Sequence, residues 1–133
     1  MKNEKNEMIF IVDDEPMWIE LLKELLESLG YTNIMTFESG TACLENIREN
    51  PDIVFLDYQM EDKDGLSTLK GIKDYYTGIC VIFTTATEDI AVAVNAMKEG
   101  SFDFLLKLNV TKKEIKTLFK KIRQNAMNIG KIL

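Results

Sequence analysis

The stretch from Asp52 to Met60 most constrains the fold, because an unbroken apolar run, Ile53–Leu56, ends abruptly on the carboxylate of Asp57. A run that is apolar at every position suits a strand covered by helices on both faces. Turn-forming residues follow it as far as Gly65. Because ligands bind at the carboxyl edge of open α/β sheets, we expect Asp57 to lie where chemistry takes place.

Four other segments have strand patterns, and a helical apolar pattern follows each of the five. The four are Met8–Val12, Asn33–Phe37, Ile79–Phe83 and Phe102–Leu106. This alternation with short links predicts an α/β fold, in which a five-stranded parallel sheet is doubly wound and five helices cover both faces. No linker, repeat or low-complexity stretch interrupts the chain. We therefore expect one domain over residues 1–133, with its core at about 8–125.

Helix boundaries are marked by capping residues. Pro16 suits the first turn of the first helix, an acidic residue ahead of it suits the cap, and Gly30 suits its end. Ser39 is placed to cap the second helix. Thr111 and Glu114 form a capping box at the start of the long last helix.

Composition removes several classes of function. The chain has no histidine, which excludes Ser-His and Cys-His nucleophiles and histidine-bearing metal sites. Its two cysteines, Cys43 and Cys80, have no metal-ligand spacing, and a disulfide between them is possible but unsupported. The polar start and the lack of a long apolar run predict a cytoplasmic protein without a membrane segment.

The net charge of −6 hides an uneven distribution. Residues 1–106 carry 8 basic and 21 acidic side chains, whereas residues 107–133 carry 8 basic side chains and Glu114 alone. An acidic body with a basic last helix argues against direct nucleic-acid binding. The basic helix is most simply a solvated face, and a partner surface is the less common alternative.

Five polar side chains are predicted to meet at the carboxyl edge of the sheet. They are Asp13, Asp14, Asp57, Thr85 and Lys107. Clustered carboxylates raise one another's pKa unless a cation neutralises them, and an oxygen-rich pocket suits Mg²⁺. A metal, a hydroxyl and an ammonium around one carboxylate suit phosphoryl transfer, with Asp57 as the nucleophile.

In these motifs the chain resembles the receiver domain of bacterial two-component response regulators, from about Met8 to about Asn125. The resemblance is of the chemotaxis-regulator-like kind. Its motifs are Asp13-Asp14, Asp57 at its spacing from Asp64-Gly65, Thr85-Ala86, and Phe104 to Lys107. It implies a flavodoxin-like strand order, 2-1-3-4-5.

The resemblance also implies roles for these residues. Asp57 would accept a phosphoryl group from a sensor histidine kinase or phosphotransfer protein, without turnover as an enzyme. Asp14, Asp57 and the backbone carbonyl of Gln59 would hold Mg²⁺, and Asp13 would act through water. Thr85 and Lys107 would bind the phosphoryl oxygens. Thr85 and Phe104 would then switch the face of helix 4, strand 5 and helix 5.

The same resemblance implies the kind of partners. A downstream protein or a C-terminal output domain would read the switched face, and a homodimer on phosphorylation is possible. Two departures affect signalling. Leu108 and Glu61 stand where the family usually has prolines, and because a cis bond before a residue other than proline is costly, Lys107–Leu108 should be trans.

Other interpretations remain open for single residues and for the whole chain. Asp14 alone could be a helix cap, Asp57 alone could start a turn, and Lys107 alone could be a solvated charge. A flavodoxin-like flavin protein would need a phosphate cradle after the first strand, where an acidic run lies instead. The strongest alternative is a receiver-like interaction module that works without phosphorylation.

Overall fold

The computed structural model describes residues 5–61, 64–86 and 90–132, so both ends of the predicted domain 1–133 lie outside it. Strands and helices alternate through these ranges. In chain order they are β1 (Ile9–Val12), α1 (Pro16–Ser28), β2 (Ile34–Phe37), α2 (Gly40–Glu45), β3 (Ile53–Asp57), α3 (Gly65–Tyr75), β4 (Cys80–Thr85), α4 (Ile90–Lys98), β5 (Asp103–Leu106) and α5 (Lys112–Ile132). One-turn 3₁₀ helices lie at Ile47–Glu49 and Lys107–Asn109.

The strands form one parallel sheet in the order β2-β1-β3-β4-β5. This confirms the predicted doubly wound, flavodoxin-like topology. The apolar run that ends on Asp57 is the central strand β3, and every residue of it is buried. Its register places Asp57 opposite Thr84 of β4. The carboxyl ends of β1, β3, β4 and β5 therefore meet along one edge.

Alternate strand residues feed two separate cores, one on each face of the sheet. On one face α1 and α5 pack over residues that include Phe55, whose ring lies 6.4 Å from that of Phe119. On the other face α2, α3 and α4 pack over residues that include Phe10 and Phe83. Burial on both faces explains why the central strands lack an alternating polar pattern.

The predicted caps are present, with one correction at α1. Ser39 accepts the Ala42 N–H at 3.0 Å, and Thr111 Oγ1 accepts the Glu114 N–H at 3.2 Å. Glu15 occupies the cap position of α1, yet its side chain makes no capping hydrogen bond. Asp13 Oδ1 instead accepts the Glu15 N–H at 2.9 Å. The Glu15 carboxylate is engaged elsewhere, as described below.

Three further expectations can be compared with the structure. Cys43 and Cys80 are both free, so the possible disulfide is absent. The Lys107–Leu108 peptide is trans, as are the other peptide bonds of the described chain. Among the described residues, no helix has the length and apolar character needed to cross a bilayer.

Replacing the central aromatic residue Phe55 should test the core on the α1/α5 face. Phe55→Ala should lower the free energy of unfolding by about 3–5 kcal/mol, because the ring is 1 % exposed and its loss leaves a cavity. Urea denaturation measures this change. Leu108→Ala is the control, since Leu108 is 78 % exposed and its truncation should cost less than about 0.5 kcal/mol. Equal losses in the two variants would contradict this account of the core.

Candidate functional site

The five polar residues predicted at the sheet edge are placed there by four strand ends. Asp13 and Asp14 follow β1, Asp57 ends β3, Thr85 ends β4, and Lys107 follows β5. Asp13, Asp57 and Thr85 are buried, whereas Asp14 is exposed. The edge thus presents one solvent-facing carboxylate above two that are withdrawn from water.

The ammonium of Lys107 lies among the carboxylates. Its Nζ is 2.7 Å from Asp13 Oδ2 and 3.6 Å from Asp57 Oδ1, and the lysine side chain is only 9 % exposed. Nζ also lies 3.3 Å from Glu15 Oε1. The shortest of these distances assigns the lysine mainly to Asp13, with Asp57 as a second, looser partner.

Glu15 and Trp18 are site residues that the sequence analysis missed. Glu15 joins the carboxylates around Lys107, and the Trp18 ring centroid lies 5.5 Å from the same Nζ. Trp18 is buried in the core on the α1/α5 face, but it also borders the site. The acidic run Asp13-Asp14-Glu15 was the only signal for Glu15, since its partner is 92 residues away.

The three aspartates are close enough to share one metal ion. Each of Asp13, Asp14 and Asp57 offers a carboxylate oxygen, and these oxygens lie within 4.8 Å of one another. An all-oxygen set of hard, anionic ligands suits a divalent cation such as Mg²⁺ better than a softer transition metal. The donor set therefore fits the predicted metal site.

Burial dominates the electrostatics of the two inner carboxylates. It raises the pKa of Asp57 to about 7, the charge of Asp13 adds to the rise, and Lys107 and the Gln59 backbone N–H oppose it. Burial also raises the pKa of Asp13, against the hydrogen bond from Lys107. Without a metal, the nucleophile predicted from sequence is therefore partly protonated at neutral pH.

Lys107 responds in the opposite way to its acidic surroundings. Burial by itself would lower the pKa of the ammonium, but the hydrogen bond to Asp13 and the charges of Asp57, Asp13 and Glu15 outweigh it. The pKa of Lys107 is consequently raised. The lysine stays charged and can follow negative charge within the site.

Gly65 fixes the loop that follows Asp57. A Cβ at this position would lie 2.6 Å from the Asp57 carbonyl oxygen and 2.8 Å from Tyr58 Cα. The Gly65 N–H donates to the Tyr58 carbonyl at 3.0 Å. Such a close approach requires glycine. Within the same loop the Gln59 backbone N–H contacts the Asp57 carboxylate, while metal binding by the Gln59 carbonyl stays a prediction.

A side-chain contact links this loop to α4, and the sequence analysis did not find it. The Tyr58 ring packs edge-on against Phe83 with centroids 5.4 Å apart. Asn95 Nδ2 of α4 donates to the Tyr58 hydroxyl at 3.3 Å. The residue after Asp57 thus touches the helix that is expected to change on switching.

Thr85 and Phe104 lie on β4 and β5 as the sequence indicated. Thr85 is 3 % exposed and follows Thr84, the register partner of Asp57. Phe104 pairs with Phe83 in the sheet and is half-buried against the core on the α2/α3/α4 face. Their switching roles stay predictions, since the structure records one position for each.

Comparison with known proteins gives a consistent result. The family described as "Response regulator receiver domain" matches residues 9–124. The "Transcriptional regulatory protein ZraR" of Escherichia coli K12 is 39% identical over 100 residues, which are 74% of this chain and 22% of that protein. The "DNA-binding transcriptional regulator NtrC" of the same strain is 37% identical over 101 residues, which are 75% of this chain and 21% of that protein. The chain thus spans about a fifth of the length of these relatives.

Solved structures agree. A response regulator receiver domain protein from Clostridium thermocellum superposes with a TM-score of 0.79 and 32% identity, covering 95% of this chain and 98% of that one. The signal receiver domain of the putative response regulator NarL from Mycobacterium tuberculosis superposes with a TM-score of 0.77 and 28% identity, covering 92% of this chain and 98% of that one.

The raised pKa of Asp57 predicts a stability effect in metal-free buffer. The pKa of Asp57 is 3.8 in the unfolded chain and about 7 in the folded one, so the folded state holds the proton more tightly. The protonated carboxyl therefore adds to the free energy of unfolding below pH 3.8, and this contribution is lost as the pH rises from 3.8 through 7. Asp57→Asn removes that loss, and should raise the free energy of unfolding by about 2 kcal/mol at about pH 8.

Urea denaturation with a chelator present measures this gain. It should shrink at about pH 5.5, because the loss in the wild type is only partly developed there. Asp64→Asn is the control, since Asn can replace Asp64 as the cap of α3. A gain for Asp57→Asn that is the same at both pH values would contradict the raised pKa.

Proposed function

The chain belongs to the response regulator receiver domain family, and from that premise we propose that Asp57 is its phosphoacceptor. The family acts by accepting a phosphoryl group rather than as a turnover enzyme. The observation that carries the proposal is the position of the buried Asp57 carboxylate, 3.6 Å from the Lys107 ammonium and within 4.8 Å of two further carboxylates. Asp13 is also buried, lies 2.7 Å from the same ammonium and has the same carboxylate neighbours, so the choice of Asp57 rests in addition on its place at the end of the central strand β3, in the motif that resembles the family's phosphoacceptor site.

In the proposed reaction an Asp57 oxygen attacks the phosphorus of a phosphohistidine on a sensor histidine kinase or phosphotransfer protein. The new bond is an acyl phosphate, and the phosphorus–nitrogen bond breaks with its electron pair going to the imidazole. Asp57 must be ionised to attack. Since its pKa is about 7 without metal, a cation that favours the carboxylate would increase its reactive fraction.

Mg²⁺ is the cation we propose, held by Asp14, Asp57 and the Gln59 backbone carbonyl, with Asp13 acting through water. When bound it would neutralise the aspartates and the incoming phosphoryl oxygens. The close approach of the three carboxylates and their oxygen-only chemistry support this assignment.

Lys107 and Thr85 are proposed to bind the transferred group. The Lys107 ammonium lies 2.7 Å from Asp13 and 3.6 Å from Asp57. A small displacement from Asp13 toward Asp57 would therefore bring it to a phosphorylated Asp57. The extra negative charge on Asp57 would favour that displacement. Thr85, one residue beyond the partner of Asp57 in β4, would donate its hydroxyl to a phosphoryl oxygen.

The signal is proposed to leave through the face of α4, β5 and α5. Movement of Thr85 would let the Phe104 ring turn inward, which changes that face. The hydrogen bond from Asn95 to Tyr58 gives α4 a second link to the loop after Asp57. Phosphorylation can therefore bias α4 through both β4 and this loop.

The wider context is also proposed. The receiver unit covers about residues 8–125, and α5 continues beyond the family match at residue 124 toward Ile132. We propose that this chain is cytoplasmic and that its partner is a sensor histidine kinase or a phosphotransfer protein. Its target would be either a downstream protein or an output domain joined to this helix. Direct nucleic-acid binding is not expected of this unit. Dimerisation on phosphorylation and the chemotaxis-regulator-like subtype stay predictions.

Phosphorylation by a small phosphodonor tests the proposal. Incubation with acetyl phosphate and Mg²⁺ should add the mass of one phosphoryl group, and chelation of Mg²⁺ or Asp57→Ala should abolish the adduct. Asp64→Asn, in the same loop, should react like the wild type. Intact mass spectrometry measures each case.

An adduct that forms without Mg²⁺, or that persists in Asp57→Ala, would contradict the phosphoacceptor assignment. Complete absence of an adduct in a folded wild-type protein would do the same. Either result would favour the interaction module that works without phosphorylation. Leu108 and Glu61, in place of the usual prolines, are the observations that keep this alternative in the test.

A further inference from the structure

One buried hydroxyl has no hydrogen-bond partner among the residues that the structure describes. It belongs to Thr84, which is 1 % exposed. Two other buried hydroxyls are paired, since Thr68 donates to the Asp64 carbonyl at 3.0 Å and Ser101 donates to the Ala96 carbonyl at 2.9 Å. A buried hydroxyl without a partner lowers stability, so its presence requires a physical explanation.

Thr84 stands beside the proposed phosphoacceptor. The parallel register pairs Thr84 of β4 with Asp57 of β3. Side chains of paired residues point to the same face of a sheet, and neighbouring strands lie about 4.8 Å apart. Phe55 and Ile82, two residues earlier in the two strands, both belong to the core on the α1/α5 face. The Thr84 side chain therefore lies next to that of Asp57 on this face.

The strand on the other side of Thr84 leads to Lys107. Thr84 pairs there with Leu105 of β5, two residues before Lys107. The Lys107 ammonium lies 3.6 Å from Asp57 Oδ1. Thr84 therefore occupies the sheet position between the strand that carries the carboxylate and the strand that delivers the ammonium.

In the unphosphorylated protein the Asp57 carboxylate already has other partners. The Gln59 backbone N–H donates to it, and Lys107 lies close by. A phosphoryl group on Asp57 would draw Lys107 toward the phosphoryl oxygens and away from the carboxyl group. Rotation about the Cα–Cβ bond moves the hydroxyl of a threonine between staggered positions. The Thr84 hydroxyl can then turn to the carboxyl group that Lys107 has left.

Thr84 and Thr85 are suited to different oxygens. Adjacent residues of a strand point to opposite faces, and Thr85 lies one residue nearer to the edge of the sheet. The Thr85 hydroxyl is proposed above to bind a phosphoryl oxygen, which lies beyond the carboxyl group. Thr84 is level with Asp57 itself, so its hydroxyl suits a carboxyl oxygen.

We propose that Thr84 is a further catalytic residue of this site, whose hydroxyl donates to a carboxyl oxygen of phosphorylated Asp57 and speeds hydrolysis of the acyl phosphate. This role rests on the proposed role of Asp57 as phosphoacceptor. In the hydrolysis a water oxygen bonds to phosphorus, and the bond between phosphorus and the Asp57 oxygen breaks. The electron pair of that bond returns to the carboxylate, and both protons of the water leave with the phosphoryl group as dihydrogen phosphate.

The hydroxyl should affect hydrolysis more than phosphorylation. Phosphoryl transfer passes through a loose transition state, in which the bond to the leaving oxygen is largely broken. Negative charge therefore grows on the Asp57 carboxyl group during hydrolysis, and a donor aimed at that group stabilises the charge. During phosphorylation the carboxylate begins with its full charge and loses only part of it in the transition state, so the donor has little effect.

The lifetime of the phosphoryl group in Thr84→Val tests this role. The protein is phosphorylated with acetyl phosphate and Mg²⁺, desalted into Mg²⁺ buffer without phosphodonor, and sampled over time by intact mass spectrometry. Valine keeps the shape of threonine but lacks the hydroxyl, so the rate constant for loss of the adduct should fall about tenfold. Thr84→Ser keeps the hydroxyl and should lose the adduct at nearly the wild-type rate. The rate of adduct formation should change by less than about twofold in both variants.

Thermal unfolding separates this role from a purely structural one. Without phosphodonor, Thr84→Val removes a buried hydroxyl that has no partner in the described chain, so its melting temperature should rise. Ser101→Ala is the control, because it removes a paired hydroxyl at the opposite edge of the sheet, before β5 begins. It should lower the melting temperature and leave the phosphoryl lifetime unchanged.

A wild-type adduct whose lifetime is unchanged or shortened in Thr84→Val would overturn the role of Thr84 alone. Equal slowing in Thr84→Val and Thr84→Ser would do the same, because serine retains the hydroxyl. A lower melting temperature of Thr84→Val would also contradict it, since the hydroxyl would then be paired before phosphorylation. Absence of any adduct in the folded wild type would instead overturn the proposed function, and the role of Thr84 with it.

Discussion

The ammonium of Lys107 holds together carboxylates that would otherwise repel one another at the edge of the sheet. It lies 2.7 Å from Asp13 and 3.6 Å from Asp57, and only 9 % of its side chain is exposed. Burying an ion costs several kcal/mol, and one lysine cannot offset that cost for two buried aspartates. The pKa of Asp57, about 7, reflects the remaining imbalance. The metal-free site therefore has a deficit of positive charge that a divalent cation would correct.

The fold supplies this arrangement because parallel strands deliver their ends to one edge. Asp13, Asp57 and Lys107 come from three different strands, and no two of them are near each other in sequence. The buried sheet fixes the strands, while Gly65 lets the next helix approach the backbone of Asp57 closely. Rigid strands with tight loops keep the charged groups at separations that small movements can change.

Two sets of contacts connect the site to the helices around it. Lys107 touches Glu15 and lies over Trp18, both at the start of α1. On the other face of the sheet, Tyr58 links the residue after Asp57 to Asn95 of α4. A shift of Lys107 would therefore disturb its contacts with Glu15 and Trp18 at the start of α1. A shift of the loop after Asp57 would disturb the contact between Tyr58 and α4. The proposed output surface therefore has a physical connection to the phosphoacceptor through Tyr58 and Asn95.

The sequence by itself determined the fold, the sheet edge and five of the residues that meet there. Buried strands, amphipathic helices and caps are local patterns, and the parallel topology follows from their alternation, so Asp57 and Lys107 could be assigned to one edge. Only the tertiary structure decided which carboxylates Lys107 contacts. It also decided that the Glu15 carboxylate contacts Lys107 instead of capping α1, and that Asn95 donates a hydrogen bond to the Tyr58 hydroxyl. These contacts join residues that are far apart in the chain. Which residues meet depends on how each helix is rotated about its axis and on where its side chains point, and local periodicity specifies neither.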